Sequence, residues 1–110
     1  MLEISRPTDA VTLAAGITTN TTTQTVRGRA GYKTLWAEVV GTGAVTADIA
    51  IYGCRTIENA TGVLVATINL TGTTRDQDAA TTSTAVYPYY YVTTTNVTGT
   101  GATVRVEVFY

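Results

Sequence analysis

Apolar and polar residues alternate with a period of two along most of the chain after Leu35, and no long segment has the 3.6-residue period of a helix. From Val45 to Ile51 every second residue is apolar, and the same holds from Ala102 to Val108. Because successive side chains of a strand point to opposite faces, each run predicts a strand with one buried face.

The same tripeptide stands before both runs, as Gly41-Thr42-Gly43 and as Gly99-Thr100-Gly101. Glycines that can adopt positive φ between two β-rich runs predict a hairpin with a short loop and a G1 bulge. The apolar phase after the tripeptide differs by one residue between the copies, so we expect two different loop geometries. The predicted hairpins pair residues 32–40 with 44–52 and residues 89–97 with 102–110.

A further strand is predicted over residues 62–70, with Leu64, Ile68 and Leu70 in phase, and weaker strands over 10–15 and 21–27. About seven short strands with regular turn signals favour an all-β fold, an antiparallel β-sandwich of the Ig-like or jelly-roll-like kind. A closed barrel is the alternative.

Two stretches interrupt the alternation. Residues 71–84 are predicted to form a long polar loop, and residues 1–8 to form an extended N-terminal arm, because the residue before Pro7 avoids the helical region. The remaining residues, 9–110, are predicted to form one domain, since a chain of this length supports a single core.

Charge and composition narrow the classes of partner. The 110 residues are 45% hydrophobic and only 14% charged, with a net charge of -1, and the basic residues are dispersed. Nucleic-acid binding depends on a basic surface, so we predict no DNA or RNA partner. The N-terminus lacks the apolar core of a signal peptide and no stretch is long enough to span a bilayer, so we predict synthesis in a cytoplasm and no membrane partner.

Catalytic and metal-binding residue types are scarce. The chain has no histidine and a single cysteine, Cys54, which excludes an intrachain disulfide and the commonest general base and zinc ligand. Asp76 and Asp78 are the only close pair of carboxylates, and they lie in the predicted polar loop. We therefore predict a protein that is not an enzyme and that holds no cofactor or metal.

The tyrosine-rich segment is the strongest candidate for an interaction site. Strand alternation sends Tyr87, Tyr89 and Tyr91 to one face and Tyr90 to the other, so at least one face of tyrosines lies outside a single core. Tyrosine is enriched at protein interfaces. The predicted interface residues are Arg6 and Pro7 of the arm together with Tyr87, Tyr89, Tyr90 and Tyr91.

Several segments together resemble small bacteriophage structural proteins: Ile51-Tyr52-Gly53-Cys54, the tyrosine-proline-tyrosine strand, and the Thr-Gly-Thr-Gly-Ala segment before the last strand. The resemblance covers residues 32–110. It is to capsid decoration (cement) proteins and to tail or neck accessory modules.

The resemblance implies a virion protein, with a head decoration protein that stabilises the capsid as the leading interpretation. Its implied partners are the major capsid protein or another virion protein, and further copies of itself as a dimer or trimer. The family carries no catalytic motif. Two alternatives stay open: a tail fibre, tail tip or neck module that binds a receptor or glycan, and a host-encoded sandwich domain used for adhesion or as a scaffold.

Overall fold

The computed structural model of the protein describes residues 10–29, 33–57, 62–82 and 87–110. These residues form antiparallel strands and no helix, which confirms the all-β antiparallel class. The strands number six, and they join in a single hydrogen-bonded sheet. The predicted arm, with Arg6 and Pro7, lies outside the described residues. The strands are β1 (Ala10–Ile17), β2 (Thr21–Thr22), β3 (Val26–Arg27), β4 (Lys33–Cys54), β5 (Val63–Thr82) and β6 (Tyr89–Phe109).

Three strands are unusually long. Strands β4, β5 and β6 contain 22, 20 and 21 residues, and the sheet order is β1-β6-β4-β5, with β2 and β3 also paired to β6. A straight strand as long as β4 would extend about 70 Å. The longest dimension of the molecule is 47 Å, so the long strands bend.

Neither Gly-Thr-Gly segment reverses the chain, and both predicted hairpins are wrong. Strand β4 continues through residues 41–43 and pairs along its length with β5 on one side and β6 on the other. Strand β6 likewise continues through residues 99–101. Glycines at positive φ suit a bulge that kinks a strand as well as a turn that ends it, and here they form bulges.

The bends of neighbouring strands coincide. Thr42 lies opposite Thr100, and the β4–β6 register shifts on both sides of this pair. We call the band that crosses the sheet here the bend line. Four described residues with positive φ lie on it, namely Gly43, Thr74, Gly99 and Gly101, and the other two, Gly16 and Asn96, lie at separate register shifts of β1 and β6.

The bend line divides the sheet into two halves of similar width. The first half contains β1 and the parts of the long strands at residues 33–40, 75–82 and 102–109, and the second contains β2, β3 and residues 44–54, 63–73 and 89–98. Leu35 and Val104 of the first half and Val45 and Val92 of the second are fully buried in one apolar cluster. The molecule is 19 Å thick, which fits two layers about 10 Å apart, so the bent sheet closes over a single core.

The predicted polar loop is wrong for residues 71–82, which form the second part of β5 and pair with β4. This segment lies at the end of the sheet order and none of the side chains from Thr71 to Ala80 is buried, so it needs no apolar alternation. Periodicity cannot identify a strand of that kind. Residues 83 and 84 lie outside the described part of the chain.

Candidate interaction surfaces

Two of the four predicted interface tyrosines are buried against other residues of the chain, so they cannot contact a partner. Tyr90 has no exposed surface, faces the core, and meets the Tyr87 ring edge to face with centroids 6.0 Å apart. Tyr91 is 6% exposed and stacks on Tyr52 at a centroid distance of 5.0 Å. Its hydroxyl accepts the backbone N–H of Gly62 at 3.1 Å. Burial raises the pKa of Tyr90, which keeps this phenol neutral.

Glycines make room for these rings. A Cβ at Gly53 would lie 2.3 Å from the Tyr87 ring, and one at Gly62 would lie 2.8 Å from the Tyr91 ring. Gly28 gives Tyr90 the same clearance. Tyr87 and Tyr89 are half-buried, so the surface that the tyrosine segment offers to a partner narrows to parts of these two side chains.

Three exposed apolar side chains lie at the same end of the sheet. Ile57, Val63 and Leu64 are 67%, 57% and 53% exposed, and Leu64 and Val63 lie opposite Tyr52 and Gly53 in the β4–β5 register. We call this group of three the apolar end. Val63 and Leu64 are successive residues of β5 and point to opposite faces, and the Ile57 carbonyl accepts the Thr25 hydroxyl, so the three side chains surround the end of the sheet and do not form one face.

The alternation of apolar residues in β5 wrongly predicts that Leu64 is buried. The sequence places Leu64 in phase with Ile68 and Leu70, which are buried as expected. A register shift between Ala66 and Leu64 breaks the phase, so Leu64 joins the outer face beside Tyr52. Residues Val63–Leu70 include no glycine or proline that would have predicted this bulge.

A second candidate surface is a polar groove of about 420 Å³ on the outer side of the second half, beside the bend line. Asn96 donates from Nδ2 to the Asp48 carboxylate at 2.6 Å, and the Thr46 hydroxyl donates to the Asn96 carbonyl at 2.7 Å. Asn96 has φ of 52°, an uncommon conformation for a residue other than glycine. The groove is lined by Thr46, Asp48, Asn69, Leu70, Thr71, Asn96 and Thr98.

The outer face of the first half differs from both surfaces. Trp36 packs edge to face on Phe109 at 6.1 Å, and ion pairs join Arg75 to Glu38 and Arg105 to Glu107. Trp36 and Phe109 therefore contact each other, and charged side chains lie around them.

Two cationic side chains near the C-terminus, Arg29 and Lys33, pack on tyrosine rings of the same chain. Lys33 is 2% exposed, with its Nζ 5.8 Å from the centroid of the Tyr110 ring and 6.0 Å from that of Tyr90. The Arg29 guanidinium lies 5.3 Å from the Tyr110 centroid. Desolvation lowers the pKa of Lys33. Sequence alone gave no signal that this lysine is buried.

Chemistry-bearing groups are sparse in the part of the chain that the structure describes. Cys54 is buried, and its thiol donates to the carbonyl of Thr56 at 3.4 Å. No cluster of three or more His, Cys, Asp or Glu side chains there could hold a metal ion, and no helix there is long and apolar enough to cross a membrane. No protein-family model matches the chain, and no curated protein is significantly similar to it.

Proposed function

We propose that the protein is a bacteriophage structural protein that decorates the outside of the head and cements the capsid. The observation that carries this proposal is the apolar end, where three large aliphatic side chains are more than half exposed. An exposed apolar group of this kind is typical of a docking surface. The low charge of the chain suits contacts made by apolar burial rather than by charge pairing.

The proposed mechanism is reinforcement by mass action. Each copy docks its apolar end on the major capsid protein or another virion protein, and burial of the exposed part of each aliphatic side chain contributes about 1–2 kcal/mol. A ligand that binds the assembled shell and not its separated subunits stabilises the shell by linkage. Many copies per particle multiply this effect.

The test compares particles that contain the protein with particles assembled without it. We expect the particles without it to lose their contents at lower temperature and to resist osmotic shock less well. Adding back the wild-type protein restores resistance, the Leu64→Asp variant does not, and Val40→Asp, which places the same charge on an exposed valine at the bend line, does. Equal resistance with and without the protein contradicts the cement role.

The polar groove favours a second candidate, a receptor- or glycan-binding module of a tail fibre, tail tip or neck. A carboxylate, two amides and several hydroxyls converge there, and such groups form hydrogen bonds with sugar hydroxyls. A glycan array probed with the wild-type protein and with Asp48→Ala tests it, with Asp78→Ala as the control outside the groove. Binding that Asp48→Ala abolishes supports this candidate, and an array without hits contradicts it.

A further inference from the structure

Strand β5 ends the sheet order, so one of its two edges faces no described strand. Two aspartates occupy part of this edge. The Asp76 carboxylate accepts the backbone N–H of Thr71 and of Gln77, both at 2.9 Å, and the Asp78 carboxylate accepts the N–H of Ala79 at 2.8 Å. Natural proteins use such charged groups to stop an edge from pairing with another chain.

The backbone N–H groups that the aspartates accept show which residues of β5 direct their backbone groups to the free edge. In an antiparallel strand, the N–H and C=O of a residue point to the same side, and alternate residues share that side. Thr71 points to the free edge because a carboxylate rather than β4 accepts its N–H. The β4–β5 register is unbroken from Thr71 back to Ala66, so Thr67 and Asn69 point to the free edge as well. Both residues are exposed.

The unblocked part of the edge is short and defined at both ends. A register shift between Ala66 and Leu64 ends it on one side, and the Asp76 carboxylate on Thr71 ends it on the other. We call residues 66–70 the open edge. Its outward backbone groups belong to two residues, Thr67 and Asn69, placed symmetrically about Ile68.

We propose that the open edge pairs with the open edge of a second copy of this chain, antiparallel, about a two-fold axis at Ile68. Thr67 of one copy then lies opposite Asn69 of the other, and each pair exchanges two N–H···O=C hydrogen bonds. The two bent sheets become one sheet that is continuous through both copies. The pairing uses no residue of the apolar end, so it does not depend on capsid binding.

Symmetry and charge favour a second copy as the occupant. An isologous contact requires a surface that is complementary to itself, and two outward residues placed evenly about one central residue meet that requirement in the antiparallel direction. No charged residue occurs from Gly62 to Thr74, so no like charges face each other near the axis. Ala66, Ile68 and Leu70, of which the last two are buried, continue as one row across the axis.

The experiment measures self-association of the purified protein by sedimentation and light scattering over a range of concentrations. We expect a dimer in the wild type. Thr67→Pro and Asn69→Pro each remove an outward N–H that β4 does not use, and they should weaken dimerisation by about tenfold to a hundredfold. Gln77→Pro places proline at an equivalent outward position in the blocked part of the edge and should leave the dimer intact.

A wild-type protein that stays monomeric at every soluble concentration overturns the proposal, as does a dimer that Thr67→Pro and Asn69→Pro leave unchanged. Amide hydrogen exchange on the wild type gives a test that needs no variant. The N–H groups of Thr67 and Asn69 should exchange slowly, and more slowly as the protein concentration rises. Fast exchange of both at all concentrations contradicts the pairing.

Discussion

Thr42 of β4 lies directly opposite Thr100 of β6, so the two Gly-Thr-Gly segments are neighbours across the sheet. The backbones approach closely on both sides of this pair. A Cβ at Gly41 would lie 3.0 Å from the carbonyl oxygen of Thr100, and one at Gly99 would lie 2.7 Å from that of Ala44. The repeated tripeptide thus marks one structural feature, the bend line, twice along the chain.

The glycines of the bend line should differ in how they tolerate alanine. Gly99→Ala combines φ of 119° with a clash against Ala44 and Val45, and should lower the free energy of unfolding by about 3 kcal/mol. Gly43→Ala has φ of 71° and no atom within 4 Å of the new Cβ, so it should cost only about 1 kcal/mol. Urea unfolding of both variants measures the difference, and equal losses would contradict the backbone clash.

Thr74 offers a stabilising substitution. This β-branched residue has φ of 64° in the bulge of β5, a conformation that glycine adopts without strain. Thr74→Gly should raise the free energy of unfolding by up to about 1 kcal/mol, after the entropic cost of the glycine is subtracted. Thr73→Gly, at a neighbouring residue without positive φ, should lower it by about 1 kcal/mol. Thermal unfolding distinguishes the two, and a loss in both would show that Thr74 is unstrained.

The Tyr91 hydroxyl should contribute to stability, and the Tyr52 hydroxyl should not. Tyr91→Phe keeps the ring stack but leaves the N–H of Gly62 without its acceptor, which should cost about 1–2 kcal/mol. Tyr52→Phe keeps the same stack and should be close to neutral. Chemical denaturation of both variants checks this, and an unchanged stability of Tyr91→Phe would count against the Gly62 contact.

Burial of Lys33 should make stability depend on pH in the alkaline range. Its folded-state pKa is lowered below the ordinary value of 10.5, so the unfolded chain binds more protons as pH rises toward that value, and the free energy of unfolding rises. The raised pKa of Tyr90 acts with the opposite sign, above its ordinary value of 10.0. Denaturant unfolding from about pH 7 to 9.5 should therefore show a rise in the wild type that Lys33→Met lacks. The same slope in both proteins would contradict this assignment.

Removing the carboxylate at Asp76 should lengthen the unprotected edge of β5. Asp76→Ala frees the N–H groups of Thr71 and Gln77, so the variant should form larger assemblies than the wild type and lose about 1–2 kcal/mol of stability. Asp48→Ala removes a carboxylate from the groove rather than from the edge and should not promote assembly. Light scattering over time compares them, and equal behaviour would mean that Asp76 does not guard the edge.

The sequence predicted the candidate surfaces only in part. Alternation placed Tyr90 and Tyr91 on opposite faces, but it could not show which face meets the core or that Tyr91 is covered as well. The cover comes from Tyr52 and Gly62, which lie far from it in the chain. The exposure of Leu64 could not be predicted, because a bulge at Val65, visible only in the pairing with β4, turns this side chain outward.

The sequence by itself determined that the chain forms β-strands and which residues of the regular runs share a buried face, as at Ile49 and Val106. A period of two is a local property, and burial of one face is enough to enforce it. Tertiary structure alone decided that the Gly-Thr-Gly segments bend strands rather than end them. A glycine with positive φ serves a turn and a bulge equally well, and the choice is made by the strands that pair on either side.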